Sequence, residues 1–165
     1  MKASVYILIG FLFAIIESSF LSFIPAEFLK PDVTIPFVVY NAFFLSPQAA
    51  LATSVAMGMA QEILSNSPGG SMIFTKIIIF LIALFFKNKL YINSRYSFSY
   101  ICTGAVICES FIYILLKWLS KGESGNVLNI LFFMAPNAVF TGFVSIFIFS
   151  FIGFLNKRYL VREQD

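Results

Sequence analysis

Four ionisable side chains stand inside or beside long apolar runs of this sequence. Glu17 and Glu109 lie within such runs, and Glu62 and Lys76 flank a short stretch of Ser, Asn, Pro and Gly. A carboxylate or ammonium at membrane depth is expensive, so each needs a partner or a purpose. The chemistry these residue types could perform is proton exchange in an ion-coupled transporter, or polar bonding that holds helices together.

The two intramembrane acids admit both interpretations. As coupling groups, Glu17 and Glu109 would bind and release protons. As structural groups, they would be neutral or hydrogen-bonded, to serines such as Ser18 and Ser110 or to a neighbouring helix. The chain contains no histidine, the easiest proton shuttle, so the structural interpretation is favoured.

The stretch between Glu62 and Lys76 has the chemistry of a tight helix–helix turn. Its Ser-Pro pair can start a helix, and its Asn and glycines tolerate positive φ. A lysine stem can extend towards the interface and approach the acid. We therefore expect a structural Glu62–Lys76 ion pair clamping a hairpin rather than a substrate site. The hairpin residues are Glu62, Ser65, Asn66, Ser67, Pro68, Gly70 and Lys76.

Helices long enough for a membrane must position these groups. The chain of 165 residues is 59% hydrophobic and only 12% charged, which is typical of a membrane protein. A hydrocarbon core of about 30 Å needs roughly 20 helical residues. We expect an all-α, polytopic integral membrane protein, a single transmembrane domain over residues 1–165. Its six spans are expected at about 4–24, 33–45, 47–64, 71–86, 98–119 and 128–155.

Prolines and one acid mark helix starts. Asp32 is placed to cap the second span, Pro36 falls in its first turn, and Pro47 opens the third span. The second span is too short to cross an average bilayer alone, so it must be covered by protein or meet a thinned membrane. In the last span, Pro136 predicts a kink or strong tilt.

Basic residues predict the orientation by the positive-inside rule. Six spans with a cytoplasmic amino terminus place seven basic residues inside and three outside, so both termini are expected in the cytoplasm. The inside set is Lys2, Lys87, Lys89, Arg95, Lys157, Arg158 and Arg162, and the outside set is Lys30, Lys117 and Lys121.

Motifs for catalysis and cofactors are missing from the sequence. There is no phosphate loop, nucleophile elbow or metal-ligand spacing, and no charged groove accompanies the aromatic residues to bind nucleic acid. Cys102 and Cys108 are too far apart along one helix for a disulfide and are expected to be plain buried thiols. We expect no enzyme activity, no cofactor and no metal.

Small residues recur every four positions along the third span. Ala52, Ala56 and Ala60 follow this spacing, and Gly58 lies one diagonal away. Small residues at this spacing let two helices approach closely in lipid. The face serves either packing inside the bundle or docking of another protein's helix, and the sequence does not separate the two.

Two blocks resemble the rod-shape-determining MreD family. "LKPDVTIPFVVYNAFF" carries its Pro-Asp pair and later Tyr at Pro31, Asp32 and Tyr40, and "GMAQEILSNSPGGSMIF" resembles its acid followed by a Ser-Gly-Ser-Pro-x-Gly turn. Glu62 stands where the family usually has Asp, and Asn66 where it usually has Gly. Asn substitutes well at a left-handed position, so the turn should be kept. The blocks cover about residues 29–74.

The resemblance implies a scaffold rather than an enzyme. Members are small six-span proteins of the cell-elongation machinery, which supports rod shape and side-wall peptidoglycan synthesis. The partner implied is the transmembrane helix of the single-span protein MreC, with MreB, RodA and a class B penicillin-binding transpeptidase reached indirectly. The fold implied resembles the substrate-binding subunits of energy-coupling-factor transporters. The same layout suggests an alternative function, a vitamin-binding transporter subunit with a mostly apolar cavity.

Overall fold

A computed structural model describes residues 2–23, 32–65, 70–90, 92, 94–121 and 127–155. The regular structure in these ranges is α-helical and forms six helices. They are α1 (Lys2–Phe23), α2 (Thr34–Phe44), α3 (Pro47–Ser65), α4 (Ser71–Lys87), α5 (Arg95–Lys121) and α6 (Val127–Leu155).

Helix boundaries agree with the sequence prediction to within three residues. α3 begins at Pro47, as predicted, because proline at the first helical position loses no hydrogen bond that the helix would make. α5 begins three residues before the predicted start at Phe98, at Arg95. The Oγ of Ser94 accepts a hydrogen bond from the N–H of Ser97, so a serine cap extends the helix beyond its apolar run.

α2 is the central helix of the bundle. Nine of its eleven residues are buried, from Thr34 to Ala42. The prediction that this short segment is covered by protein is confirmed. An apolar helix buried on all sides requires partners around its whole circumference.

The other five helices surround α2 in the order α1, α3, α4, α5 and α6. Neighbours in this order pack against each other, and each of the five also contacts α2. Phe13 of α1 meets Phe151 of α6 edge to face, with ring centroids 6.2 Å apart. Aromatic contact therefore joins the first helix of the series to the last.

Small residues allow the closest approaches between helices. At Gly58 of α3, an added Cβ would lie 2.6 Å from the Cα of Ile73 in α4. Between α5 and α6, the Oγ of Ser99 donates to the carbonyl of Gly142 at 2.6 Å. The first contact is a close approach of two backbones and the second is an interhelical hydrogen bond; both are common between helices in lipid.

Large apolar side chains cover much of the outer surface. Phe132, Phe147 and Leu119 are 75%, 62% and 69% exposed, respectively. Two segments, Arg95–Leu116 and Met134–Leu155, are long and apolar enough to cross a membrane. α6 continues through Pro136 as one helix. An outer surface of this kind points to association with a membrane.

Candidate functional site

The amino-terminal end of α2 is organised by one carboxylate. Asp32 Oδ1 accepts hydrogen bonds from the N–H groups of Thr34 at 2.9 Å and Ile35 at 3.0 Å, and also from the Thr34 hydroxyl. These are the bonds of an N-cap, so the predicted capping role of Asp32 is confirmed. The other oxygen of the carboxylate remains free for a second interaction.

Lys76 of α4 supplies that interaction and joins a third helix. Its Nζ lies 2.7 Å from Oδ2 of Asp32 and 2.8 Å from Oε1 of Glu109 in α5. The lysine side chain is 0% exposed, while the two carboxylate side chains keep 19% and 17% exposure. A buried ammonium between two carboxylates is paired in a charge-assisted network rather than left isolated.

Glu17 of α1 binds the same end of α2. Its Oε2 accepts from the N–H of Val33 at 3.1 Å, and its Oε1 accepts from Nε2 of Gln61 in α3, also at 3.1 Å. On the α6 side, Oγ1 of Thr141 accepts from the N–H of Asp32 at 3.1 Å. The N–H groups at the start of α2 have no partner within the helix, and neighbouring side chains thus accept their hydrogen bonds.

Each of the five surrounding helices therefore sends one polar side chain to the start of the central helix. We call this cluster the polar hub. Its members are Glu17, Asp32, Gln61, Lys76, Glu109 and Thr141.

The polar hub is suited to holding helices together. Its bonds join helices that are far apart in sequence. Its one cation, Lys76, lies between the carboxylates of Asp32 and Glu109. It has no nucleophile activated by a neighbouring base, which covalent catalysis would need. Among the described residues, no group of three or more His, Cys, Asp or Glu could hold a metal ion.

The predicted Glu62–Lys76 ion pair is wrong. Lys76 points into the bundle and binds Asp32 and Glu109, because partners inside the protein remove its need to reach the interface. Glu62 instead accepts a hydrogen bond from the N–H of Gly70, across the turn. The hairpin is therefore closed by a carboxylate–backbone bond.

The residues of that turn are described only at its two ends. Ser65 ends α3, and Gly70 precedes α4 with φ of 90°, a left-handed conformation that glycine adopts without strain. Gly70 thus adopts the positive φ that was expected to be tolerated there. The predicted turn residues Asn66, Ser67 and Pro68 lie outside the described residues, as does Pro31 of the first motif block.

Glu17 and Glu109, predicted separately, belong to one cluster. The suggestion that serines satisfy them is wrong for Ser110, whose Oγ donates to the Val106 carbonyl of its own helix. The alternative partner, a neighbouring helix, is correct for both acids. A serine inside a helix tends to donate to the backbone carbonyl one turn earlier. The carboxylates are then free to bond to neighbouring helices.

Tyr40 of the first motif block is a packing residue. Its side chain is 4% exposed, and its ring centroid lies 4.6 Å from that of Phe44, 6.2 Å from that of Phe98 and 5.9 Å from that of Phe149. The tyrosine thus joins the central helix to α5 and α6. Aromatic clusters of this kind add to the free energy of apolar burial.

The small residues of α3 divide between the inside and the outside. Ala60 is 3% exposed, and Gly58 is buried against α4, so this part of the face packs internally. Ala52 is exposed, and Ala56 is half-buried. Internal packing therefore accounts for Gly58 and Ala60 but not for the exposed Ala52.

Two hub members were missed in the sequence. Gln61 precedes Glu62 within a quoted motif block, and Thr141 interrupts the apolar run of α6. The available signal was a polar side chain inside an apolar helix. Cys102 is buried, as predicted, whereas Cys108 is only half-buried; both are free thiols.

An open groove lies on the outside of α6. It has a volume of about 660 Å³, is open to the exterior, and is lined by Ala135, Pro136, Val139, Phe140 and Phe143. Its walls are apolar and belong to the exposed side of α6, whereas Thr141 of the polar hub is buried on the same helix. The groove offers no convergent polar groups with which a small solute could be oriented.

Comparison of the chain with protein-family models, curated proteins and solved structures finds no match.

Proposed function

We propose that this protein is a non-enzymatic membrane scaffold of the bacterial cell-elongation machinery. The observation that carries the proposal is the polar hub, in which polar side chains from the five surrounding helices bond to the residues at the start of α2 or to each other. An interior organised in this way favours rigidity over solute binding, and the apolar outer surface favours lateral contact with lipid and other helices. The resemblance of the two motif blocks to MreD supports the assignment to cell elongation.

The proposed topology is six spans of the inner membrane, with both termini on its cytoplasmic side. It is supported by the six apolar helices and by the distribution of basic residues over their connections. α2 is shorter than an average bilayer is thick, and the five surrounding helices shield it from lipid. The N–H groups at the start of α2 are bonded to side chains, which is compatible with membrane burial.

We propose the outer face of α3 as the docking site for the single transmembrane helix of MreC. Ala52, Met59 and Ile63 are exposed on this face, with Met59 and Ile63 at 50% and 79% exposure. Ala52 and the half-buried Ala56 form a shallow notch beside these larger side chains. Such a notch lets a second helix backbone approach closely.

Ala52→Leu tests this site. The substitution fills the notch from the outside and leaves the buried contacts of Gly58 and Ala60 untouched. We expect the variant to insert normally and to recover several-fold less MreC than the wild type when both proteins are co-purified from membranes. Ala135→Leu is the matched control, since it makes the same change at an exposed position of α6.

The outcomes separate the possible docking faces. Loss of MreC with Ala52→Leu and full recovery with Ala135→Leu supports docking on α3. The reverse result places MreC on α6 and contradicts the α3 site. Full recovery with both variants, or absence of MreC from the wild-type preparation, refutes MreC docking on either face.

The wider role in cell shape and side-wall peptidoglycan synthesis is tested by depletion in the native host. Rounding of the cells supports the scaffold, while unchanged rod shape refutes it. The alternative, a vitamin-binding transporter subunit, predicts thermal stabilisation of the purified protein by one compound of a vitamin panel. That result would replace the scaffold proposal.

A further inference from the structure

The end of the bundle at which α4 and α5 meet carries exposed cations and aromatic rings. Lys89 and Arg95 are exposed, and so are Phe85, Tyr96 and Tyr100, at 64%, 64% and 80%. We call these five residues the α4–α5 basic surface. Aromatic and basic side chains together are typical of protein surfaces at the boundary between lipid tails and water.

Lys89 is placed by the aromatic part of this surface. Its Nζ lies 4.5 Å from the centroid of the Phe85 ring, within the range of a cation–π interaction. The ammonium is therefore kept at the level of an exposed apolar ring. If that ring enters the bilayer, the charge lies near the phosphates of the lipid headgroups.

In the part of the chain that the structure describes, these cations have no carboxylate partner. Residues 63–108 contain no Asp or Glu. Glu109 lies 14 residues beyond Arg95 on α5, about 21 Å along the helix axis. Among the described residues, Lys89 and Arg95 form no ion pair. Lys87 differs, because its Nζ donates to the Leu45 carbonyl at 3.3 Å and so fastens the end of α2.

We propose that the α4–α5 basic surface binds the headgroups of anionic phospholipids through Lys89 and Arg95. The inference rests on the membrane insertion given under the proposed function. Headgroup phosphates provide the missing counter-charge, and the exposed rings of Phe85, Tyr96 and Tyr100 contact the adjoining acyl chains. Zwitterionic lipids carry their own cation beside the phosphate and bind more weakly.

Native mass spectrometry of the purified full-length chain tests the proposal. Phosphatidylglycerol and phosphatidylcholine are titrated separately, and the fraction of lipid-bound protein is measured. We expect the wild type to bind phosphatidylglycerol preferentially. Removing one cation by Lys89→Gln or Arg95→Gln should weaken this binding about fivefold, and the double variant about 25-fold. Raising the salt concentration should weaken the wild type as well.

Lys121→Gln is the matched control, because it removes the same charge at the opposite end of α5. It should leave phosphatidylglycerol binding unchanged. Undiminished binding by the double variant, or equal weakening by Lys121→Gln, refutes the α4–α5 site. Competition by millimolar inorganic phosphate would indicate a site for free anions and also overturns the proposal.

Failure of this inference is distinguishable from failure of the proposed function. Resistance of the expressed protein to alkaline carbonate extraction from membranes reports insertion independently of lipid preference. An inserted protein without preference for phosphatidylglycerol refutes the lipid site alone. A protein released by carbonate refutes the membrane scaffold as well.

Discussion

Replacing Lys76 by Met should destabilise the bundle strongly. The change keeps a long, flexible side chain but removes the charge that joins α4 to the start of α2 and to α5. Asp32 and Glu109 would then face each other without the ammonium that lies 2.7 Å and 2.8 Å from them. Removing one member of a buried charge network leaves the others uncompensated.

The expected magnitude follows from burial. Loss of one partner of a buried ion pair typically costs about 3–5 kcal/mol. The lysine is 0% exposed, but the carboxylates keep 19% and 17% exposure, so water can partly solvate them. We therefore expect Lys76→Met to lower the free energy of unfolding by about 3 kcal/mol, at the lower end of that range.

Steric trapping in bicelles measures this free energy for a membrane protein. Lys121→Met is the matched control, since it makes the same substitution at the end of α5, outside the polar hub and the α4–α5 basic surface. Its effect should stay within about 0.5 kcal/mol. The difference between the two variants isolates the contribution of burial and pairing from that of the side-chain change itself.

A triple variant tests the physical reasoning. Combining Lys76→Met with Asp32→Asn and Glu109→Gln removes the unpaired charges, and Asn remains a good helix cap. Most of the lost stability should return. Two results would refute the reasoning: a Lys76→Met variant as stable as the wild type, or a triple variant no more stable than the single one. Either would show that the pairing of buried charges does not stabilise this end of the bundle.

Two further predictions concern packing and the role of one acid. Gly58→Ala should lower the free energy of unfolding by about 1–3 kcal/mol because its new methyl group meets the backbone of Ile73. Gly104→Ala, which meets nothing within 4 Å, should instead be neutral or stabilise α5 by up to about 1 kcal/mol; equal effects in the same steric-trapping assay would contradict the close approach. Under the proposed function, Glu17→Gln should retain MreC recovery and rod shape because an amide can still accept hydrogen bonds. Glu17→Ala should cost about 1–3 kcal/mol of stability by leaving the Nε2 of Gln61 unpaired. Loss of function in Glu17→Gln with unchanged stability would indicate that proton exchange is required.

The helices and their limits could be predicted from the sequence because the signals are local. Apolar runs, a proline at Pro47 and the capping residue Asp32 act within a few positions of the helix end that they define. Burial of α2 was one of the two outcomes that the sequence allowed, since a span this short needs either cover by protein or a thinned membrane. The start of α5 was missed because the cap at Ser94 precedes polar residues.

The sequence by itself determined which segments are helical and which polar groups would need partners. Only the tertiary structure decided the partners: Lys76 binds Asp32 and Glu109, which lie 44 and 33 positions away, and not Glu62 across the hairpin. Spacing along the chain places a side chain on a helix, but the rotation of that helix and the neighbours packed against it decide where the charge lies. Lys76 binds the carboxylates of Asp32 and Glu109 because its own side chain is 0% exposed, so water cannot solvate the ammonium in their place.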